Sequence, residues 1–292
     1  VRHLGGTVEL NTISFNGGYG LRFQPTFRIE DVRDNFLEGN EQPGIELLTS
    51  LGAGLMNQGA PVLSAQQGES MMTFDSNVQV VGDPGLHVEA GVELRFLAGN
   101  GLQAGHQSLP GTVSLEGTAE KPVILTAANG QSGGWLGVAL GPFVFSGTSS
   151  RLDYVVIDKA GGNSVLSGVA PFRAGLALHG SSAVINNLTV ANSAGDGVLS
   201  VGGSPTIRNA AIAFNSGAGV RFVGPQFPSF SKALLFSNGP NIGLSPGSTV
   251  LAADPLFTNA AQGDFTPQPD SPLIYAGLVG SLAFFGAAPE LG

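Results

Sequence analysis

The stretches INNLTVANSAGDGV (Ile185 to Val198), IRNAAIAFNSGAGV (Ile207 to Val220) and KALLFSNGPNIGL (Lys232 to Leu244) carry one pattern three times in succession. Asn192, Asn215 and Asn238 recur every 23 residues. A fixed interval of this length marks one supersecondary unit stacked on copies of itself, because a single copy cannot bury its own apolar face. Within each copy, short apolar runs such as Ile185, Leu188 and Val190, or Ile207 and Ile212, are separated by Gly, Asn and Ser. These are strand residues joined by turn residues that tolerate positive φ. A leucine-rich repeat would need Leu at fixed offsets about an Asn, and a helical repeat an apolar period of 3.6; neither pattern occurs. The chain reads as a solenoid whose unit is a coil of two or three short strands, about a dozen coils for this length.

Working outward, NTISFNGGYGL (Asn11 to Leu21) and NFLEGNEQPGI (Asn35 to Ile45) follow the same grammar, and their Asn16 and Asn40 stand 24 residues apart. The spacing predicts N-terminal coils over 1–50. The stretch 51–77, rich in Gly, Gln and Ser and without a clear period, is expected to be a linker or decorated loop. From Val78 the strands lengthen, as in LHVEAGVELRF, TVSLEG, PVILTA and LDYVVIDKA, and residues such as Val92, Leu94 and Phe96 alternate with the period of two that one inward face requires. A main stack over 78–252 is expected, followed by a closing coil and cap over 253–292. In that cap the prolines 255, 267, 269 and 272 cannot donate to a further ladder.

The order VEAGVELRF, GTVSLEGTAEKPVILTA, GGWLGVAL, LDYVVIDKA and then Asn-rich repeats resembles the right-handed parallel β-helix proteins of bacterial and archaeal surfaces, with their pectate-lyase-like fold. ADPLFTNAAQGDFTPQPDSPLIYAG (Ala253 to Gly277) is similar to the terminal motif of that family. The likeness covers roughly Val78 to Gly277, and 1–50 more loosely. It implies an all-β, single elongated domain at a cell surface or outside the cell. It says little about activity, because such folds include lyases, hydrolases, phage tailspikes, adhesins and purely structural parts.

Composition narrows the remaining choices. Of 292 residues, 45 are Gly and 18 Pro, 42% are hydrophobic and only 11% charged, so the chain can fill a core but is poor in helix formers. With 12 basic against 21 acidic residues, no basic stripe is available for nucleic acid or an anionic membrane. No run is long enough to span a bilayer, and no cysteine is present to form disulfides or thiolate metal sites. The chain starts at Val1, already within repeat-like sequence, and is read as a processed protein or part of a larger one. No cap precedes Val1, so the N-terminal end is expected to stack on other protein. A cell-surface polysaccharide is the second expected partner.

The expected site is structural. Asn16, Asn40, Asn192, Asn215 and Asn238 are read as an asparagine ladder along one corner, since Asn tolerates a left-handed turn and its amide can bond the next coil. No catalytic residue, metal ligand or cofactor is expected. Arg151, Asp153, Asp158 and Lys159 form the nearest charged constellation, but the two aspartates, five positions apart, would face opposite sides of a regular strand and read as surface charge. Glu30, Asp31, Asp34, Glu38 and Glu41 lack the spacing of a calcium loop and read as a solvated edge. His3, His87, His106 and His179 are scattered without zinc spacing. Trp135, the only tryptophan, is expected to pack at a coil corner, and Phe284 and Phe285 in an end cap.

Overall fold

The computed structural model describes residues 8–23, 32–47, 54–56, 62–68, 70–105, 110–141, 149–163, 172–224, 228–240 and 249–278. Their regular structure is β-strand apart from one 3-10 turn at Ala260–Gln262. A 13-stranded sheet and a 7-stranded sheet dominate, and every strand pair in them is parallel. Successive repeats lie one above the next as rungs. This arrangement is compatible with a β-helix-like solenoid.

The inward rows explain why the rungs stay in register. Leu21, Ile45, Met72, Leu94, Leu125, Ile157, Val190, Ile212 and Leu235 are consecutive cross-strand partners along one row. All but Leu21 are buried. A slip of one residue would turn this entire set to the outside, so the pattern fixes the pairing. A second row runs Val78, Leu102, Val138, Leu176, Val198 and Val220 in the smaller sheet. Aliphatic side chains at strand spacing thus form a continuous core.

Corners are made by residues of positive φ. Tyr154, Asn187, Asn209 and Lys232 each interrupt one long strand, namely Arg151–Asp158, Val184–Ala191, Thr206–Ala213 and Ser229–Phe236. Each corner splits its strand into two differently directed halves. The first halves of Arg151–Asp158 and Val184–Ala191 continue the face begun by Gly82–Glu89 and Gly111–Glu116, and the second halves continue Glu93–Phe96 and Val123–Ala127.

Trp135 fills a gap in the interior. Phe74, Phe96 and Ala127 are register partners, and the small Ala127 leaves room above the Phe96 ring. The indole occupies that room, with centroids 4.7 Å apart and planes 8° from parallel, while Phe74 lies 5.1 Å from Phe96 on the other side. Its Nε1–H donates to the carbonyl of Asp158 at 2.8 Å, so the ring is buried without an orphaned donor.

Three expectations about organisation need revision. The stretch 51–77 contains strands Gly54–Met56, Val62–Leu63, Gln67–Gly68 and Met71–Phe74, all paired in parallel with neighbouring rungs. It is another rung rather than a linker; polar turns between very short strands hid its period. Among the described residues, the main path through the large sheet contains ten strands, against the dozen coils expected. Partners in the middle rungs are as much as 37 or 38 residues apart, as in Ser114 with Arg151 and Val138 with Leu176, against 22 or 23 in the late ones. Finally, the segment expected to close the last coil turns aside. Residues 257–278 form the antiparallel pair Phe257–Asn259 with Asp264–Pro267 and a following turn, and lie along the outside of the large sheet as a strap. Phe257 and Leu273 pack on Ala211, Ala213 and Leu234, which are outward-facing residues of their strands. Phe284 and Phe285 lie outside the described residues.

Candidate functional site

Amide stacks occur at more than one corner. Asn16 donates from its backbone N–H and its Nδ2 to Asn40 Oδ1, at 3.2 and 2.9 Å, and Asn40 Nδ2 donates to the Ile13 carbonyl at 3.2 Å. Asn215 and Asn238 repeat this geometry, with 3.0 and 2.8 Å to Asn238 Oδ1 and 2.8 Å from Asn238 Nδ2 to Ile212 O. The two pairs are not one ladder. Asn16 precedes the strand whose Leu21 belongs to the long inward row, whereas Asn215 follows Ile212 of that same row. The local motif is shared, and its place around the cross-section differs.

Asn192 is the exception to the expected set. The residue that donates to Asn215 Oδ1 is Ser193, through its backbone N–H at 3.0 Å. Asn192 stands one position earlier, at φ 54, where Phe214 and Ser237 stand in the next rungs. Its Nδ2 instead donates to Asp158 Oδ1 at 2.8 Å and to the Ala260 carbonyl at 2.9 Å, fastening the strap to the stack. Asn is favoured both for positive φ and for the amide stack, so the sequence alone did not separate the two positions.

Two further stacks were not anticipated. Asn11 donates to Asn35 Oδ1, and Asn35 to Gln66 Oε1, through backbone and side-chain N–H groups at 2.9 to 3.2 Å. In the late rungs Asn209 Nδ2 donates to Asn187 Oδ1 at 3.0 Å. The Asn-x4-Asn spacing of both N-terminal stretches, Asn11 with Asn16 and Asn35 with Asn40, is the signal that marked the first of them.

The charged constellation also rearranges. Because Tyr154 turns a corner, Asp153 and Asp158 both point outward, on two different faces, and both are buried. The regular-strand argument failed at that corner. Asp158 lies beneath the strap, where Lys159 Nζ donates to Oδ2 at 2.8 Å and Thr126 Oγ1 approaches it at 3.3 Å. Asp153 accepts from Arg151 and, at 2.7 Å, from Asn186 Nδ2. The Arg151 guanidinium is held above its usual range by its hydrogen bond to Asp153.

Asp153 also ends a row of carboxylates. Glu89, Glu116 and Asp153 are register partners on three adjacent strands, with His87, Ser114 and Arg151 in the row beside them. Ser114 Oγ donates to Glu116 Oε1 at 2.6 Å, and His87 Nδ1 lies 3.9 Å from the same oxygen. Adjacent carboxylates on parallel strands are separated by about 4.8 Å at the backbone, close to the roughly 5 Å of an acid and nucleophile pair in glycosidic chemistry. Asp153 is committed to its two donors, whereas Glu89 and Glu116 are exposed. Sequence reasoning missed this row because middle-rung lengths vary. Aligning VEAG, LEG and LDY would have shown an acid after an apolar residue at each corner.

The other candidates remain separate. Among the described residues, no group of three or more His, Asp or Glu side chains is placed to hold a metal ion. Asp34, Glu38 and Glu41 are exposed, while Glu30 and Asp31 lie outside the described residues, as do His3 and His106. His179 is buried beside Phe172, with ring centroids 5.7 Å apart; its Nε2 has no hydrogen-bond partner, and burial lowers its pKa. No described helix is long and apolar enough to cross a membrane. No protein family, curated protein or solved structure matches the chain.

Proposed function

We propose that the chain is a non-catalytic structural or adhesive module of a cell surface or the extracellular space, built as a right-handed parallel β-helix whose N-terminal face joins other protein. Crossover connections between parallel strands are right-handed in nearly all known cases, which supports the handedness. The observation that carries the assembly reading is at the first described rung. In the stacks Asn11–Asn35–Gln66, Asn16–Asn40 and Ser193–Asn215–Asn238 the Oδ1 or Oε1 of one rung receives N–H groups from the rung before it, whereas in the Asn187–Asn209 pair the later rung donates. Asn11 Oδ1 and Asn16 Oδ1 receive none among the described residues, and both side chains are exposed. Leu10 and Phe15, at the adjoining corners, are 79% and 80% exposed. Two open acceptors beside apolar corners suit the amides and apolar residues of one more parallel rung.

Light scattering coupled to gel filtration tests this reading. The chain is expected to associate with rising concentration, and a Leu10→Lys/Phe15→Lys variant with unchanged far-UV dichroism is expected to remain monomeric. A strictly monomeric parent chain, with the amides of Thr12–Ser14 protected from exchange, would overturn it.

The carboxylate row supports a second reading, a carbohydrate-active β-helix. There Glu89 and Glu116 would act as the acid and nucleophile on a polysaccharide laid across the sheet. Release of reducing ends from neutral or acidic polysaccharides, lost in Glu116→Gln, would favour it.

A further inference from the structure

The strap does not lie flat along its whole length. Between its hairpin and the rungs beneath opens a cleft of about 540 Å³, within the size range of small-molecule sites. One wall comes from the stack, with Glu120, Tyr154 and Asn187; the other comes from the strap, with Phe257, Asp264 and Phe265. Phe257 and Phe265 meet edge to face at 5.2 Å, which holds the apolar wall in place.

The charges on these walls select the ligand. Among the described residues, the two carboxylates lining the cleft are Glu120 and Asp264, and no basic side chain lines it. Two lysines border the lining, Lys121 next to Glu120 in sequence and Lys159, whose Nζ comes within 4.0 Å of a Cβ placed on Gly263. Lys159 is bound to Asp158, and the stem of Lys121 lies against Gly91 of the neighbouring rung. Asp264 uses Oδ1 to accept the Thr266 N–H at 3.0 Å, which fixes the carboxylate at the strand start. An anion would meet repulsion from both walls. A metal ion would find only two carboxylates, and no described cluster offers a third ligating side chain. A cation with an apolar body satisfies both features, since aromatic rings attract ammonium groups on their faces and carboxylates accept their hydrogen bonds.

We propose that the cleft between strap and stack binds a small organic ammonium ion, its apolar body against Tyr154, Phe257 and Phe265 and its charge between Glu120 and Asp264. The site is independent of the assembly at the N-terminal end and of the carboxylate row.

Calorimetric titration with hexylammonium chloride, with 1-hexanol as the uncharged counterpart, tests it. One saturable site is expected, with hexanol weaker by roughly tenfold, the scale of one charge-assisted hydrogen bond. Glu120→Gln and Asp264→Asn should each weaken the ammonium several-fold; Asn at 264 can still accept from Thr266. Phe265→Leu, which keeps the strap's apolar contact but removes a ring face, should weaken it as well. Glu41→Gln, in the N-terminal rungs, should leave binding unchanged and so control for net charge. Equal binding of hexanol, insensitivity to Glu120→Gln and Asp264→Asn, an equal effect of Glu41→Gln, no saturable binding, or preference for a neutral disaccharide would each overturn the proposal.

Discussion

The rungs over 8–47 and those over 184–236 follow one local formula and are finished differently on the outside. In both, a strand ends at a residue of positive φ and an amide then bonds the neighbouring rung. At the N-terminal end those corners bear Leu10 and Phe15 in solvent, with the Phe15 ring lying over Gly39. A Cβ at Gly39 would come within 2.7 Å of that ring, and its φ of 63 already favours glycine. In the late rungs the outward positions are Ala211, Ala213 and Leu234, and the strap covers them. Inward residues therefore report the stacking, and outward residues report what lies against the stack.

The largest expected effect breaks the covering. Leu273→Asp would place a charge in the apolar contact beneath the strap. Limited proteolysis should then cut within 254–278 while far-UV dichroism of the stack persists; loss of all structure would mean that the strap is required for folding. Next, truncations in the two interiors should differ. Ile212→Ala, at a fully buried position, should cost about 2–5 kcal/mol in urea unfolding, and Ile13→Ala, only partly buried, should cost clearly less. Similar losses would place both regions in one equally packed core. The amides come third. Asn215→Ala orphans the buried N–H of Ser193 and should cost about 1–3 kcal/mol, whereas Asn16→Ala, at an exposed corner, should cost under about 1 kcal/mol.

The smallest effect concerns pH. Burial lowers the pKa of His179 below the ordinary value of 6.5, so the folded protein resists a proton that the unfolded chain accepts. Stability is unaffected by this group above that value and falls as pH drops through it toward the lowered folded pKa. Urea midpoints measured between about pH 5 and 8 should decline on the acid side, and less so in His179→Leu. An unchanged slope in the variant would remove His179 from the account.

The repeat from Ile185 to Leu244 was legible because rungs there have nearly constant length and apolar residues recur in phase. Register within the corner was not, because Asn192 and Asn215 satisfy different demands with the same side chain. The N-terminal motif was recognised by its residues, but its position around the cross-section depends on pairings such as Leu21 with Ile45 that no local pattern carries. Glu89, Glu116 and Asp153 were invisible for the same reason. The prolines of the strap rule out further stacking without saying where the segment goes. The better clue lay in the strands themselves, where Ala211, Ala213 and Leu234 occupy positions that solvent-facing rungs fill with polar residues.

The strap also bears on how the molecule comes apart. A linear array held only by contacts between nearest neighbours can peel from either end, one unit at a time. Here a single segment reaches Ile124 at the cleft, Asp158 and Asn192 at the corner, Asn209 through Leu278, and Leu234. It acts as a splint across five successive units, so that none of them can leave without detaching it. The late half is thereby tied into one cooperative block, while the N-terminal units keep the freedom to fray singly.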